Sequence, residues 1–146
     1  MVTTTYGGWD MHSNIASSIK RNVPPLDQAF AALISDLDER GMLDDTLVMI
    51  TSEFSRTPKI NSSAGRDHWP KVMSVVMAGG GMKGGQAIGA SDAKGEGPKD
   101  KAITPDDVAA SFMHSLGIDH TKEYHTLAGR PVMIVRNGTV IPELFS

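Results

Sequence analysis

The chain has no cysteine. That excludes disulfides and thiolate ligands, so any metal it holds must sit on histidine, carboxylate and similar groups. The absence leaves the compartment open. No apolar run approaches the length of a membrane span, and the N-terminus has no signal-like pattern. A surplus of positive charge is missing as well: the net charge is -3 and the pI near 5.9. Nothing electrostatic therefore points to nucleic acid as a partner, and nothing in the hydropathy points to a membrane. Serine, histidine and aspartate are present, but no Gly-x-Ser-x-Gly elbow occurs, so a hydrolase triad has no local support. The Gly- and Lys-rich stretch from Gly79 to Asp100 matches no phosphate-binding fingerprint in a strand–loop–helix setting, and it reads as a mobile loop or loose hairpin.

What is present is a globular composition. The 146 residues, 40% of them hydrophobic and 21% charged, suit one domain with a core of its own. The chain opens almost directly into the β-branched run Val2 to Tyr6 and reaches Asp10 and His12 at once. Candidate site residues rarely stand so near a domain's start, so residues 1–146 are expected to be the C-terminal part of a larger domain.

Val2 to Tyr6 has strand composition, broken by Gly7 and Gly8. Pro24 and Pro25 then introduce an amphipathic pattern. Leu26, Ala29, Phe30, Leu33, Ile34 and Leu37 recur at helical spacing, which predicts a helix from about Leu26 to Arg40 with proline in its first turn and Gly41 at its end. An apolar run, Leu47 to Thr51, predicts a buried strand, and Val72 to Ala78 predicts another. Strand, helix and strand in this order predict a βαβ unit. The expected fold class is therefore α/β, built on a parallel sheet. Thr104, Pro105, Asp106 and Asp107 form a strong helix start, followed by an apolar face ending at Gly117. Pro131 to Val135, Asn137-Gly138 and Thr139 to Ile141 read as a C-terminal hairpin.

Three polar clusters fall in loops beside these predicted strands. Asp10 and His12 offer carboxylate oxygen and imidazole nitrogen close together, as a hard or borderline cation requires. Glu53 and Arg56 follow the Leu47 strand, at the edge where open α/β sheets place their sites. Asp67 and His68 stand just before the next strand, with Arg66 beside them. Arg56 and Arg66 carry forked donors suited to an anion, although each also suits a structural ion pair. Asp10, His12, Glu53, Asp67 and His68 are thus candidate metal ligands, and Arg56 and Arg66 are candidate anion binders. His114, His120 and His125 read as surface or helix-face histidines.

The stretches Gly8 to His12, Ser52 to Pro58, Gly65 to Pro70, Ala78 to Gly85 and Leu127 to Pro131 together resemble the C-terminal part of DUF1501 proteins, a sulfatase-like branch of the alkaline phosphatase superfamily. Members are largely uncharacterised bacterial proteins, often exported through a twin-arginine signal. The resemblance implies an alkaline phosphatase-like α/β sandwich and a metal-dependent phosphate- or sulfate-ester hydrolase acting on a small anionic ester. It implies two divalent ions, with zinc expected first and manganese or calcium as alternatives. Asp10, His12 and His68 would hold one metal, and Glu53 would contribute to the other. A second mapping takes Asp67 and His68 as the family's Asp–His pair. The sequence departs from the superfamily pattern at Glu53, which Phe54 follows where relatives carry a ligating residue. The nucleophile of relatives would lie upstream. A non-catalytic binding or assembly protein that retains the fold is the alternative function. A sheet edge left open in such a fragment would favour homo-oligomers.

Overall fold

The computed structural model describes residues 1–145. Its longest element is helix α1, Ile15–Glu39. The helix starts well before the expected Leu26, because the strand pattern of Val2 to Tyr6 forms no strand and the polar stretch after Asn14 coils instead. Pro24 and Pro25 lie inside the helix. Without their N–H groups two helical hydrogen bonds are missing, those to the carbonyls of Lys20 and Arg21. The first turn is satisfied from elsewhere in the chain: Asn14 donates its backbone N–H to Ser63 O (3.0 Å) and Ile15 donates to Ala64 O (2.8 Å). At the other end Gly41 takes a left-handed φ of 66° and closes the helix as expected.

The strands are short. β1, Val48–Ile50, pairs with β4, Val76–Ala78. β2, Ser55–Arg56, pairs with β3, His68–Trp69. β5, Ala90–Ser91, pairs with β6, Pro98–Asp100, inside the Gly- and Lys-rich stretch. β7, Glu123–His125, pairs with β8, Pro131–Met133. Helix α2, Pro105–Ser115, separates the last two pairs, and a 3-10 turn, Pro142–Leu144, closes the chain. The molecule is therefore of mixed α/β class.

The expected parallel sheet is corrected: among the described residues every strand pair is antiparallel. The physical reason lies in the connections. A parallel pair needs a crossover, usually helical. Here the helix precedes β1 with no strand before it, and the segment between β1 and β4 carries only the small β2–β3 pair. The β1–β4 register is closed by a tight approach at Gly79 (φ 73°), where a side chain would strike the Leu43 and Thr46 carbonyls. Gly80 donates its N–H to Leu43 O (3.0 Å).

The expected Pro131–Ile141 hairpin is corrected too. Pro131–Met133 turns back onto β7, and the Thr139 to Ile141 stretch runs along α2 instead. Thr139 donates its backbone N–H to Asp107 Oδ1 (2.8 Å), and Ile141 donates to Ser111 Oγ (2.9 Å). Gly138 fits only because it lacks a side chain, which would meet the Asp106 carbonyl. The start of α2 forms as its sequence dictates: Thr104 and Asp107 make a reciprocal capping box.

Burial is sparse. Among the described residues, Met11, Ala110 and Val135 are the buried apolar ones. The accessible surface is 10390 Å², whereas a compact chain of this mass would expose roughly 7,200 Å². Much of what organises the molecule is therefore polar, and that is concentrated around Met11.

Candidate metal centre

Met11 is buried, while its neighbours Asp10 and His12 are exposed. The anchored methionine turns the two flanking polar side chains out together, with His12 Nε2 3.0 Å from Asp10 Oδ1. The loop after β2 returns to the same place. Arg66 donates its backbone N–H to Met11 O (3.0 Å), and Ser13 bridges to Ala64. Gly65 lies flat against the His12 backbone, where an added Cβ would stand 2.0 Å from the His12 carbonyl carbon. The β2–β3 ladder sets Arg56 opposite His68 and so delivers both to Asp10.

The result is a triangle of ligand-type atoms: Asp10 Oδ1, His12 Nε2 and His68 Nε2. Its edges are 3.0 Å from Asp10 to His12, 3.0 Å from Asp10 to His68, and 3.2 Å between the two imidazoles. Among the described residues this is the one group of three histidine or carboxylate side chains so placed. Tetrahedral coordination at about 2.0–2.1 Å puts neighbouring ligand atoms roughly 3.3 Å apart, so the residues fit a small divalent ion.

Each member of the triangle is held from behind. His12 Nδ1 faces Asp67 Oδ1 at 2.8 Å, the carboxylate–histidine arrangement that fixes ring orientation in metal sites. His68 packs against the Phe54 ring, with centroids 4.3 Å apart. Arg56 donates from Nη1 to Asp10 Oδ1 (2.7 Å) while its guanidinium sits 5.6 Å from the Phe54 centroid. Hydrogen bonds from His68 and then Arg56 lower the Asp10 carboxyl to about 2, and those from His12 and Asn61 lower that of Asp67. Both acids are thus anionic across the neutral range.

A proton count sharpens the picture. A neutral His12 that donates from Nδ1 to Asp67 has only a lone pair at Nε2. That lone pair faces the Asp10 carboxylate at 3.0 Å. Two acceptors at such a distance need a cation between them, or a proton carried by His12 Nε2 or by His68 Nε2, which lies 3.0 Å from Asp10 Oδ1 and 3.2 Å from His12 Nε2.

Of the residues singled out from sequence, Asp10, His12, Arg56, Asp67 and His68 come together. Asp67 reaches the group through His12 rather than through the triangle. Glu53 is exposed and stands outside the three-residue group. Arg66 is partly buried, with its Nε enclosed and without a hydrogen-bond partner. Sequence reasoning missed Asn61, which touches both His12 and Asp67. Its signal was modest: an asparagine opening a short Ser-, Ala- and Gly-containing loop, the usual mark of an Asx-type turn.

The family model DUF1501, described as a protein of unknown function, matches residues 1–145. No curated protein and no solved structure matches the chain.

Proposed function

We propose, from the premise that this chain belongs to the DUF1501 family, that Asp10, His12 and His68 hold a divalent metal ion in a phosphate- or sulfate-ester hydrolase-like domain. The observation that carries the reading is the triangle of Asp10 Oδ1, His12 Nε2 and His68 Nε2, whose edges of 3.0, 3.0 and 3.2 Å are close to the spacing of ligand atoms around a small divalent ion. Zinc suits two imidazoles and one carboxylate best. Calcium wants six to eight oxygen ligands, and manganese also prefers oxygen-rich sites, so both rank behind it.

Three protein ligands leave a position for water or substrate, as in catalytic rather than structural zinc sites. When bound, such an ion supplies a Lewis acid and an activated water or ester oxygen. The chain's own residues supply the rest. Asp67 keeps the His12 ring turned with Nε2 toward the triangle. Phe54 covers one face of the His68 imidazole. Arg56 holds Asp10 and places a guanidinium beside the site, where it can meet the negative oxygens of a small anionic ester. Within this proposal the alkaline phosphatase-like sandwich, the second metal and the nucleophile belong to a larger domain of which residues 1–146 are the C-terminal part. No residue of this chain is assigned as nucleophile.

A second reading, a binding or assembly protein that retains the fold, is favoured by the position of Glu53. It lies outside the triangle and is followed by Phe54, which packs on His68 instead of ligating.

Zinc titration by calorimetry, with elemental analysis of the purified chain, tests the metal. The proposal expects one zinc per chain and its loss in His68→Ala. Equal binding by both proteins would place the zinc elsewhere, and none by the wild type would leave the contact to a proton on His12 or His68; either result would overturn it. Hydrolysis of an aryl phosphate or aryl sulfate by zinc-loaded full-length protein separates the hydrolase from the binding reading.

A further inference from the structure

We infer that Asn61 is the positioning residue of this site, acting through His12 and Asp67 without touching the metal position. The inference rests on the metal-site reading for its consequence but on hydrogen-bond geometry for its content.

Asn61 uses every polar group it has. Its backbone N–H donates to Gly65 O (2.8 Å), and its carbonyl accepts from Ala64 N (3.1 Å). Its side-chain Oδ1 accepts two backbone N–H groups, from Ser63 (3.0 Å) and Gly65 (2.9 Å). That double acceptance fixes which end of the amide is oxygen, because an NH₂ group there would face two donors. The Nδ2 end therefore points the other way. Its two hydrogens go to His12 O (3.0 Å) and Asp67 Oδ1 (3.1 Å).

These contacts close a ring of four groups. His12 donates from Nδ1 to Asp67 Oδ1; Asn61 donates to that same oxygen and to the His12 carbonyl. The backbone of residue 12, its imidazole and the carboxylate that orients it are thus referred to one amide. Asn61 also sets the turn that presses Gly65 onto the His12 backbone. Without the Nδ2 donors, Asp67 keeps a partner in His12, but the pair loses its fixed relation to the residue 12 backbone. The imidazole can then swing Nε2 away from Asp10 and His68.

Asn61→Asp separates these roles. It keeps an oxygen acceptor for Ser63 and Gly65 and removes both donors. The added negative charge would by itself draw a cation more strongly, so weaker binding runs against simple electrostatics. Asn61→Ala, which adds no charge, is measured in parallel, and far-UV circular dichroism of each variant checks that α1 and α2 persist. Outer-shell changes of this kind typically cost about 10- to 100-fold in metal affinity, and the expected result is at least a tenfold loss for zinc in both variants. The second readout needs no metal: the His12 Nδ1–H proton resonance, which marks its hydrogen bond to Asp67, should broaden or vanish in both. Folded variants with an unchanged resonance and wild-type zinc affinity would overturn the inference while leaving the metal reading intact. A resonance lost in the variants of a protein whose wild type binds no zinc would overturn the metal reading and keep the positioning role. Loss of zinc affinity with an unchanged resonance would overturn the positioning role.

Discussion

Two antiparallel pairs in this molecule are alike on paper and unlike in substance. β2–β3 joins two residues to two, and β7–β8 joins three to three. By ladder length the second should be the firmer. Yet residues Thr121 to Met133 are exposed throughout, and among the described residues the side chains from Lys122 to Met133 form no hydrogen bond outside that stretch. The shorter pair is tied to Asp10, His12 and Asn61 by side-chain bonds and by the Gly65 contact. A two-stranded ribbon is marginal in water by itself. What specifies the β2–β3 region is the polar network crossing it, and the distal hairpin has no such network.

The sharpest way to break this contrast is to fill the space at Gly65. A methyl group there would overlap the His12 backbone, and Gly65→Ala should destabilise the chain by about 3 kcal/mol, the upper end of overpacking costs. Chemical denaturation would measure it, with zinc binding lost in parallel. Removing an orienting group without disturbing packing should have a smaller effect. Asp67→Ala is expected to weaken zinc binding about 10- to 100-fold, equivalent to about 1.4–2.7 kcal/mol, with the melting temperature of the metal-free protein changed far less.

Helix α2 is an intermediate case, since its cap is local rather than a link between distant segments. Thr104→Ala should cost about 1 kcal/mol and leave zinc affinity unaltered. Asp107 adds a pH signature. Hydrogen bonds from the Thr104 side chain, then from the Thr139 and Thr104 backbone, lower its carboxyl in the folded chain. A depressed folded value means that its stabilisation is present above the ordinary aspartate value and is lost as pH falls below about 4. The gap in stability between wild type and Asp107→Asn should therefore narrow on acidification through that range. The smallest effect belongs to the distal hairpin. Leu127 is fully exposed, so Leu127→Ser should fall within about 0.5 kcal/mol of wild type. The β7–β8 amides should exchange with solvent faster than those of Thr57, Asn61 and Gly65.

The same contrast explains what could be read in the sequence. The start of α2 was legible because capping chemistry is short-range: Thr104, Pro105 and Asp107 carry the signal within four positions. The grouping of Asp10, His12, Arg56, Asp67 and His68 was legible as three polar clusters beside predicted strands. Strand direction was not legible. Antiparallel pairing is settled by the connection between the strands. The expectation of buried strands from the apolar runs is corrected as well: Met49 and Val76 are exposed and the rest of Val48–Ile50 and Val76–Ala78 is only partly buried, because among the described residues each strand has a single partner. The start of α1 was hidden because proline favours a first helical turn, and here tertiary bonds from the Asn14 and Ile15 N–H groups to the Ser63 and Ala64 carbonyls start the helix earlier, ahead of Pro24 and Pro25. Asn61 was hidden because its role depends on two partners, His12 and Asp67, only one of which lies near it in sequence.

The distance along the chain between the site's partners also sets an order of events. Asp10 and His68 are 58 positions apart, His12 and Asp67 are 55 apart, and Arg56 lies 46 from Asp10. α2 needs only local contacts and can form within about a microsecond, whereas the first turn of α1 is completed by bonds to the Ser63 and Ala64 carbonyls. The triangle must await closure of a long loop, which makes it one of the slow steps of assembly. An ion captured there would arrive after most of the structure exists. It would act as a late clasp, lengthening the lifetime of the folded chain more than hastening its formation.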